Sequence, residues 1–361
     1  MKKLGFALVG CGRISKKYTE ILTSQMEEAH LVSVCDLNSE KAEAVGRKFN
    51  VPFYLDMHQM IEKENDRIDV VCILTPSGNH AQNVVDLAGY GKHLVVENPM
   101  ALTLSDADRM IKTCDQNGIK LFVVKQNRYN LPVQKLREAV ESGRFGKIVM
   151  GTVRVRWCRK QEYYDQDAWR GTWAMDGGVF TNQASHHVDL LEWMLGEVES
   201  VFAKSSTALV DIETEDTGIA VLKFKSGALG IIEATTATRP KDLEGSLSVL
   251  GEKGTVEIGG FAVNQLKIWN FLDQTESERE HILNTYRENP PNVYGFGHVA
   301  YLKNVVETIL HKNTALVDGL EGRKSLELIS AIYESIETGK EVFLHFKPQK
   351  CRLGMKQKVP R

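Results

Sequence analysis

The stretch FALVGCGRIS, residues 6–15, decides the fold that we expect of this 361-residue chain. The apolar run over 4–9 predicts a buried strand of a parallel sheet. Gly10 permits a tight turn, and Gly12 lets the backbone approach a pyrophosphate where a helix begins, whose free N–H groups favour an anion. Because the third position of this G-x-G-x-x-G pattern is Ser15, the motif alone leaves open an ordinary strand-to-helix turn.

A second predicted strand, over 31–35, ends in Asp36. A carboxylate at this position accepts hydrogen bonds from the ribose of a dinucleotide and repels a 2′-phosphate. Leu37 and Asn38 supply no arginine to bind such a phosphate, so NAD is favoured over NADP. The alternative is that Asp36 caps the helix predicted to begin near Ser39.

Two further strands are followed by polar turns. The apolar run over 70–74 precedes TPSGNH at 75–80, and the run over 94–96 precedes ENP at 97–99. Because ligands bind at the carboxyl ends of parallel strands, both turns are candidate ligand contacts. His80 could equally be an ordinary residue of the first turn of a helix.

The regular alternation of strands and helices ends near residue 125, which predicts a doubly wound, parallel dinucleotide-binding domain over 1–125. Long alternating runs of antiparallel type then predict a second, α+β domain over 126–346. The last stretch, 347–361, carries six basic residues and no acid, and is predicted to be a disordered tail, with a weak contact to an anionic partner as the alternative. The elements predicted in the second domain are strands at 147–157, 198–205, 217–224, 229–238, 243–250, 254–258 and 265–270, and helices at 133–142, 178–195, 295–311 and 320–337.

The composition favours small-molecule partners. A net charge of −2 gives no general attraction to nucleic acid or to an anionic membrane. The six cysteines are scattered without a C-x-x-C pair, which favours reduced thiols and a cytoplasmic protein. The start MKKLGFALVGC is similar to a lipoprotein signal, but its apolar part is too short for a signal core, and no run reaches the length of a membrane span.

These motifs together resemble the Gfo/Idh/MocA family of NAD(P)-dependent sugar and polyol oxidoreductases, over essentially the whole chain up to residue 346. The resemblance rests on GCGRIS at 10–15 with Asp36, TPSGNH at 75–80, ENP at 97–99, KQNR at 125–128 and NQASHHVD at 182–189. It implies a Rossmann domain followed by an open-faced, mostly antiparallel sheet with helices on one face. It also implies a homotetramer, in which the open face of that sheet packs against a neighbour.

Other stretches are similar to one branch of the family. This branch comprises the bacterial enzymes that oxidise the 3-hydroxyl of UDP-N-acetylglucosaminuronic acid (UDP-GlcNAcA) during the synthesis of surface polysaccharides such as lipopolysaccharide. The stretches are EYYD at 162–165, WRGTW at 169–173, DGG at 176–178, LEGSL at 243–247 and VYGFGH at 293–298. The resemblance therefore implies a nucleotide sugar as substrate. A free polyol or aldose, such as an inositol, is the alternative.

Oxidising a secondary alcohol needs a base near the hydroxyl and a hydride acceptor. His186 is the candidate base, because an imidazole titrates near working pH and Asp189 lies on the same face of the predicted helix. On the residues alone, a structural histidine–aspartate pair is at least as good an interpretation. The resemblance assigns the active-site histidine to His186 rather than to His187.

Asn98 departs from the family, whose E-K-P motif has a lysine at this position. An amide forms hydrogen bonds but exchanges no proton at neutral pH, and losing a general base costs roughly 100- to 10,000-fold in rate. Three hypotheses follow: a dehydrogenase impaired by Asn98, an active enzyme whose base is His186, or a non-catalytic sensor of NAD and sugar.

The predicted site residues fall into two sets, with His186 and Asn98 as the catalytic pair and no metal expected. Arginines suit the carboxylate and diphosphate of a nucleotide sugar, although aromatic residues at this density are also typical of a core. The predicted NAD contacts are Gly10, Gly12, Arg13, Ile14, Asp36, Thr75, Pro76, Ser77, His80, Glu97, Asn98 and Gln126. The predicted substrate contacts are Arg128, Arg156, Arg159, Tyr164, Trp169, Arg170, Asn182, Gln183, His186 and His187.

Overall fold

The computed structural model describes residues 3–287, 295–311 and 313–356. The chain divides into two compact units, each with its own sheet. The first unit comprises Met1–Val124 and His298–Arg323, and the second comprises Lys125–Gly297 and Lys324–Arg361. The first unit therefore includes a late segment, 298–323, that the sequence had placed in the second domain.

The first unit is a parallel sheet flanked by helices, as predicted. Its described strands are β1 Leu4–Val9, β2 Ala29–Cys35, β3 Phe53–Tyr54, β4 Val70–Ile73, β5 His93–Val96 and β6 Leu121–Val123. Its described helices up to β6 are α1 Ser15–Ser24, α2 Ser39–Phe49, α3 Met57–Lys63, α4 His80–Ala88 and α5 Leu104–Gln116. The strands are almost continuously apolar because helices cover both faces of such a sheet.

The strand order is β3-β2-β1-β4-β5-β6. The order reverses between β1 and β4, and the crevice at such a switch point is where doubly wound sheets bind ligands. The late segment joins this unit through the edge strand β6: the amide of Val123 donates to the carbonyl of Val317 at 3.4 Å, and Phe122 forms a bridge with Asp318. These pairings lie nearly 200 residues apart in sequence, so a local pattern could not predict them.

The second unit contains an eight-stranded sheet in the order β13-β12-β11-β7-β10-β9-β8-β14, all antiparallel except β7 with β10. The predicted strands are confirmed to within a few residues. Their bounds are β7 Ile148–Arg156, β8 Val198–Ser206, β9 Thr217–Phe224, β10 Leu229–Thr235, β11 Glu244–Gly251, β12 Gly254–Gly259, β13 Gln265–Phe271 and β14 Val342–Phe343.

The remaining helices are α6 Leu131–Glu141, α7 Gln161–Tyr164, α8 Ser185–Leu195, α9 Glu276–Thr285, α10 Gly297–His311 and α11 Gly319–Thr338. The helix predicted over 178–195 does not start as a regular α-helix. A wider π-type turn, Val179–Gln183, precedes α8. Part of the VYGFGH stretch, residues 293–294, lies outside the described residues.

The two faces of the second sheet differ. On one face α8 covers β7, where a Cβ at Gly151 would lie 2.7 Å from Leu195. On the other face apolar side chains such as Ile219, Val221 and Leu229 are about half exposed. This difference follows from the period-2 alternation that the sequence showed in β9.

The tail predicted to be disordered is ordered over 347–356, and 357–361 lie outside the described residues. Cys351 and Leu353 are buried, and three consecutive backbone amides of this segment donate to Glu334. The basic composition of this segment did not predict its order, because the order depends on two buried apolar side chains and on a carboxylate of a distant helix. Within the described residues, no helix is both long and apolar enough to cross a membrane.

Candidate active site

The glycine turn of the first unit has two glycines with different roles. Gly10 has a φ of 107°, and a Cβ there would lie 2.6 Å from the carbonyl oxygen of Leu74. At Gly12 a Cβ would meet no described atom within 4 Å. Gly10 therefore lets the turn pack against the end of β4, whereas Gly12 leaves open space in which a ligand could approach the backbone.

The start of α1 fits an anion. Among the described residues no side chain caps this helix, and its first turn contains no acid. Ser15, in the place of the third glycine, is buried and its hydroxyl donates to the carbonyl of Gly12 at 2.6 Å, so it supports the turn. Arg13 is exposed and Ile14 half-buried, next to the helix end that attracts phosphate.

Asp36 lies at the end of β2, beside this turn. One carboxylate oxygen accepts from the amide of Cys11 at 2.7 Å and the other accepts from the amide of Asn38 at 2.8 Å. The cap of α2 is Asn38, whose Oδ1 accepts from the amide of Lys41 at 3.0 Å. The helix-cap interpretation of Asp36 is thus wrong. Each of its oxygens keeps a lone pair that a ribose hydroxyl could use.

The turn after β4 carries Thr75, Pro76 and Ser77, of which Ser77 is buried and the other two are half-buried. The hydroxyl of Thr75 donates to Oδ1 of Asn83 at 2.8 Å. These contacts are internal to the unit, and Thr75 and Pro76 keep part of their surface exposed.

His80 is a correction to the predicted NAD contacts. It is 1% exposed, and its ring nitrogens lie 2.8 Å from the carbonyl oxygens of Pro99 and Thr75. Burial lowers the pKa of His80. The residue joins the turns that follow β4 and β5, and it is too enclosed to touch a cofactor.

Glu97 and Asn98 follow β5. The hydroxyl of Tyr18 donates to Oε1 of Glu97 at 2.8 Å, and the amide of Asn98 donates to Oε2 at 3.2 Å. Burial raises the pKa of Glu97 to about 7. The end of β5 therefore carries one carboxyl group that titrates near neutrality and one amide that does not titrate.

His186 is in the second unit, in the first turn of α8. Its Nε2 lies 3.1 Å from Nε2 of Gln126, in the turn Gln126–Tyr129. Because the amide nitrogen of Gln126 is a donor, this contact favours the tautomer of His186 in which Nε2 carries the lone pair. In this tautomer the lone pair of Nε2 accepts from Gln126, and a substrate hydroxyl that replaces Gln126 would donate to the same nitrogen.

Asp189, the predicted partner of His186, is engaged elsewhere. Nε and Nη2 of Arg128 each donate to one of its oxygens at 2.8 Å, and Nζ of Lys125 lies 3.7 Å away. Burial alone would raise the pKa of Asp189, but the two cations lower it below its ordinary value. Arg128 was predicted to contact the substrate, but it is 2% exposed and its guanidinium is held in this buried ion pair.

Two other predicted arginines meet at one tyrosine. Nη1 of Arg170 donates to the hydroxyl of Tyr163 at 2.8 Å, and the guanidinium of Arg159 lies 5.5 Å from the centre of the same ring. Gln183 accepts from Nε of Arg159 at 3.1 Å and donates to the Tyr163 hydroxyl at 3.1 Å. Asn182 contacts Gln183 in turn. The structure thus brings together four of these residues.

This group, which we call the arginine–tyrosine cluster, consists of Arg159, Tyr163, Arg170, Asn182 and Gln183. Trp169 lies beside it, with its ring centre 4.6 Å from the guanidinium of Arg170. Each arginine also has an acid: Asp242 is 2.9 Å from Arg159, and Asp167 is 3.1 Å from Arg170. The cluster combines planar cations, amides and ring faces, a set that suits the anionic and apolar parts of one ligand.

Arg156 is a second correction. In β7 the residues alternate between the two faces, and Gly151 faces α8, so Arg156 lies on the opposite face of the sheet. There its guanidinium binds Glu233 at 2.6 and 2.8 Å and Glu244 at 3.0 Å. It cannot share a site with His186.

Tyr164 and His187 are corrections of another kind, because both are interior. The hydroxyl of Tyr164 is 3.1 Å from that of Thr236, and burial raises its pKa to about 12. His187 is fully buried edge-to-face against Trp157, and burial lowers its pKa to about 4. Neither side chain is accessible to a substrate.

Sequence reasoning missed a buried pair of acids, Asp176 and Glu215, behind the turn Val179–Gln183. The backbone amide of Gly171 and the side-chain amide of Asn182 donate to Asp176. The backbone amide of Phe180 and the hydroxyl of Tyr333 donate to Oε1 of Glu215. Burial raises the pKa of both acids to about 7. The signal available in the sequence was the DGG stretch: a Cβ at Gly178 would lie 2.1 Å from Glu215.

Among the described residues, no group of three His, Cys, Asp or Glu side chains is placed to hold a metal ion. The strand order, glycine turn and Asp36 define a dinucleotide-binding α/β protein, which carries a separate unit with a histidine and an arginine–tyrosine cluster. The chain belongs to the Gfo/Idh/MocA oxidoreductase family. Residues 4–125 match its NAD-binding Rossmann fold, and residues 137–344 match its C-terminal alpha/beta domain. It is therefore an NAD-dependent oxidoreductase.

Two solved structures are similar over nearly the whole chain. The WlbA dehydrogenase from Bordetella pertussis, in complex with NADH and UDP-GlcNAcA, is 43% identical with a TM-score of 0.89, over 96% of this chain and 99% of that one. The WlbA dehydrogenase from Chromobacterium violaceum, with the same two ligands, is 41% identical with a TM-score of 0.88, over 96% and 97%. Myo-inositol 2-dehydrogenase of Thermotoga maritima is 29% identical over 93% of this chain and 97% of its own.

Proposed function

We propose that the chain oxidises the 3-hydroxyl of UDP-GlcNAcA to a 3-keto sugar, with NAD as the hydride acceptor. The observation that carries this proposal is the likeness, above 40% identity over almost the whole chain, to two dehydrogenases that bind NADH and UDP-GlcNAcA. The arginine–tyrosine cluster supports it, because two guanidinium groups suit a sugar acid and a diphosphate better than a neutral polyol.

The first unit holds NAD through its glycine turn and the carboxylate of Asp36. The free N–H groups at the start of α1 would bind the pyrophosphate, since no described side chain competes for them. Asp36 would bind the ribose hydroxyls. When bound, NAD supplies the acceptor for the hydride that leaves the sugar carbon.

His186 takes the hydroxyl proton in this proposal. The contact with Gln126 favours an imidazole whose lone pair is on Nε2, and the sugar hydroxyl replaces Gln126 as the donor to this lone pair. Such a group works near neutral pH. Asn98 supplies hydrogen bonds but no proton transfer, so we expect an enzyme slowed by Asn98 rather than one that has lost its activity. Binding and orientation of the sugar belong to Arg159, Arg170, Asn182 and Gln183.

One specific observation favours a second candidate. A relative that matches most of the chain is a myo-inositol 2-dehydrogenase. A free polyol or aldose needs no diphosphate site, so the arginines would then have only structural roles. A sensor that binds NAD and sugar without turnover is the third candidate, and Asn98 is the residue that favours it.

The test is to follow NADH formation with UDP-GlcNAcA, myo-inositol and a series of aldoses, and to ask whether UDP competes. We expect slow reduction of NAD with UDP-GlcNAcA, and inhibition by UDP alone, because the nucleotide occupies part of the site. Turnover of myo-inositol that UDP does not inhibit would replace the proposal with the polyol dehydrogenase. Tight binding of NAD and UDP-GlcNAcA without formation of NADH would favour the sensor.

We further propose that the protein works in the cytoplasm, as a homotetramer, in the synthesis of a surface polysaccharide. All six cysteines are free thiols, which supports a reducing compartment. The half-exposed apolar face of the second sheet supports an assembly, because an apolar surface of this kind is usually covered by a partner.

A further inference from the structure

The C-terminal segment 347–356, which we call the strap, is held by one carboxylate. Oε2 of Glu334 accepts from the backbone amides of Gln349, Lys350 and Cys351 at 3.0, 2.7 and 2.8 Å. Glu334 lies on α11 and is buried. Three converging donors on one carboxylate oxygen fix the path of the strap more firmly than its basic, polar composition suggests.

The strap then packs on the segment 171–178 that leads to the substrate turn Val179–Gln183. The side chain of Leu353 lies against Gly177, so that a Cβ on this glycine would be 2.8 Å from its Cδ1. The amide of Gly354 donates to the carbonyl of Trp173 at 2.8 Å, and the guanidinium of Arg352 lies 4.2 Å from the centre of the Trp173 ring.

The residue next to Glu334 holds the substrate turn from behind. The hydroxyl of Tyr333 donates to Oε1 of Glu215 at 2.9 Å and accepts from Oγ1 of Thr181 at 2.9 Å and from the amide of Gly178 at 3.1 Å. One donor and two acceptor positions of this phenol are thus all used. Consecutive residues of α11 therefore hold both the strap and the turn.

Small residues make the turn dependent on this support. Gly177 has a φ of 84° and Gly178 has no side chain, so the chain between Asp176 and Val179 is held by its backbone hydrogen bonds and by the groups packed on it, among them Leu353 and Tyr333. Asn182 and Gln183 follow directly, and α8 with His186 begins two residues later. A shift at Gly177 would displace the side chains that we expect to bind the sugar.

We propose that the strap positions the substrate turn, with Glu334 and Leu353 as positioning residues for Asn182 and Gln183. This inference rests on the proposed function for its effect on substrate, although its structural part does not. The strap contacts the segment that leads to the turn, at Trp173 and Gly177, and both the strap and this segment belong to the second unit. Loosening it should therefore impair the binding of the sugar and leave the binding of NAD unchanged.

The test uses the full chain with Leu353→Ala and, separately, Glu334→Ala. We expect KM for UDP-GlcNAcA to rise between about 5- and 100-fold, since small misplacements of binding groups have effects of this size. The Kd of NADH should stay the same. Hydrogen exchange of the amides at 177–183 should accelerate in both variants, because their support is lost.

Two matched variants sharpen the result. Glu334→Gln keeps an oxygen that can accept the three amides, so it should restore KM most of the way towards that of the parent. Met355→Ala removes a side chain of the same strap that is 47% exposed, and should change neither KM nor the exchange rates. This variant separates the contact of Leu353 from a general effect of mutating the strap.

Unchanged exchange at 177–183 in both alanine variants would overturn the proposal. So would an equal loss of NADH and UDP-GlcNAcA affinity, which would indicate general unfolding. If the parent binds no UDP-GlcNAcA, the proposed function fails, but hydrogen exchange with the parent as reference still decides whether the strap holds the turn.

Discussion

At the scale of single residues, Asn98 limits the chemistry that we propose. It occupies the end of β5 beside Glu97, whose pKa burial raises to about 7. A lysine at 98 would add a titratable amine next to this carboxyl group. The pair would then resemble the acid–lysine arrangement of the family, with a group that can take a proton from the substrate.

We therefore predict that Asn98→Lys raises kcat for UDP-GlcNAcA by roughly 100-fold or more, the usual contribution of a general base. Initial rates of NADH formation measure this effect. Asn98→Gln is the control, since it keeps an amide and should not increase kcat. If the lysine variant binds both ligands and is no faster than the parent, Asn98 is not what limits the rate.

Glu215 is the residue that should couple stability to pH. Its pKa in the folded protein is about 7, above its ordinary value of 4.5, mainly because of burial. The folded state then binds more protons than the unfolded state between these two values, so this stabilisation is complete below the ordinary pKa and is lost as pH rises towards 7. Asp176 acts in the same direction.

We predict that the free energy of unfolding falls by about 2 to 3 kcal/mol between pH 5 and pH 8 for each of these two acids, at about 1.4 kcal/mol for each unit of pKa shift. Glu215→Gln should flatten this dependence, which urea denaturation at several pH values would measure. Glu162→Gln, on an exposed side chain, should leave it as in the parent. An unchanged slope in Glu215→Gln would mean that this acid is ionised in the folded protein.

At the scale of elements, the two glycines of the turn between β1 and α1 have different roles, one in stability and one in cofactor binding. Gly10 has a positive φ and no room for a Cβ beside Leu74, whereas Gly12 has a conformation open to other residues and empty space around it. The first glycine should matter for stability, and the second should matter for the cofactor. Paired alanine variants distinguish these roles.

We predict that Gly10→Ala lowers the free energy of unfolding by roughly 1 to 3 kcal/mol or more, the cost of a strained backbone and a contact with a carbonyl. Gly12→Ala should keep the Tm of the parent and weaken NADH binding about tenfold or more, because its methyl group occupies the space that the pyrophosphate needs. Thermal unfolding and fluorescence titration measure the two quantities. Equal NADH affinity in Gly12→Ala and the parent would contradict a phosphate site at this turn.

The turn Val179–Gln183 is the corresponding element of the second unit. It was predicted as the beginning of a longer helix, because its apolar residues have helical spacing. Glu215 accepts from the backbone amide of Phe180 in this turn, and Tyr333 accepts from the amide of Gly178 directly before it and donates to Glu215. These partners come from distant parts of the chain, so a local pattern could not show them.

At the scale of the whole molecule, the row of apolar side chains on the open face of the second sheet is the feature that we relate to assembly. Ile219 and Val221 are 53% and 49% exposed, in a row with Phe202 on the neighbouring strand. Covering such apolar side chains with a second copy of the chain would stabilise the assembly by about 25 cal/mol for each Å² of apolar surface removed from water. A tetramer that buries this face would therefore depend on these side chains.

We predict that Ile219→Glu combined with Val221→Glu gives a smaller assembly than the parent, as measured by sedimentation or light scattering. Leu272→Glu serves as the control, because Leu272 is 84% exposed and follows β13 outside the sheet face. A parent that is already monomeric would contradict the homotetramer. A double variant that is still tetrameric would place the interface elsewhere.

The sequence by itself determined the fold class, and it supplied the residues on which the proposed site rests: the glycine turn, Asp36, Asn98 and His186. These depend on local apolar periodicity and on residue types at short spacing, which a single chain displays. It also gave the strands of the second sheet to within a few residues, because each strand alternates with period 2.

Only the tertiary structure decided which charged side chains are available to a ligand. Arg128 is buried in an ion pair with Asp189. Arg156 lies on the far face of the sheet, where it pairs with Glu233 and Glu244. His187 is fully buried. The same holds for the strap, whose amides are bound by Glu334. Residue type sets what a side chain can do, but partners brought from elsewhere in the chain determine whether its charge or hydrogen bonds are already used.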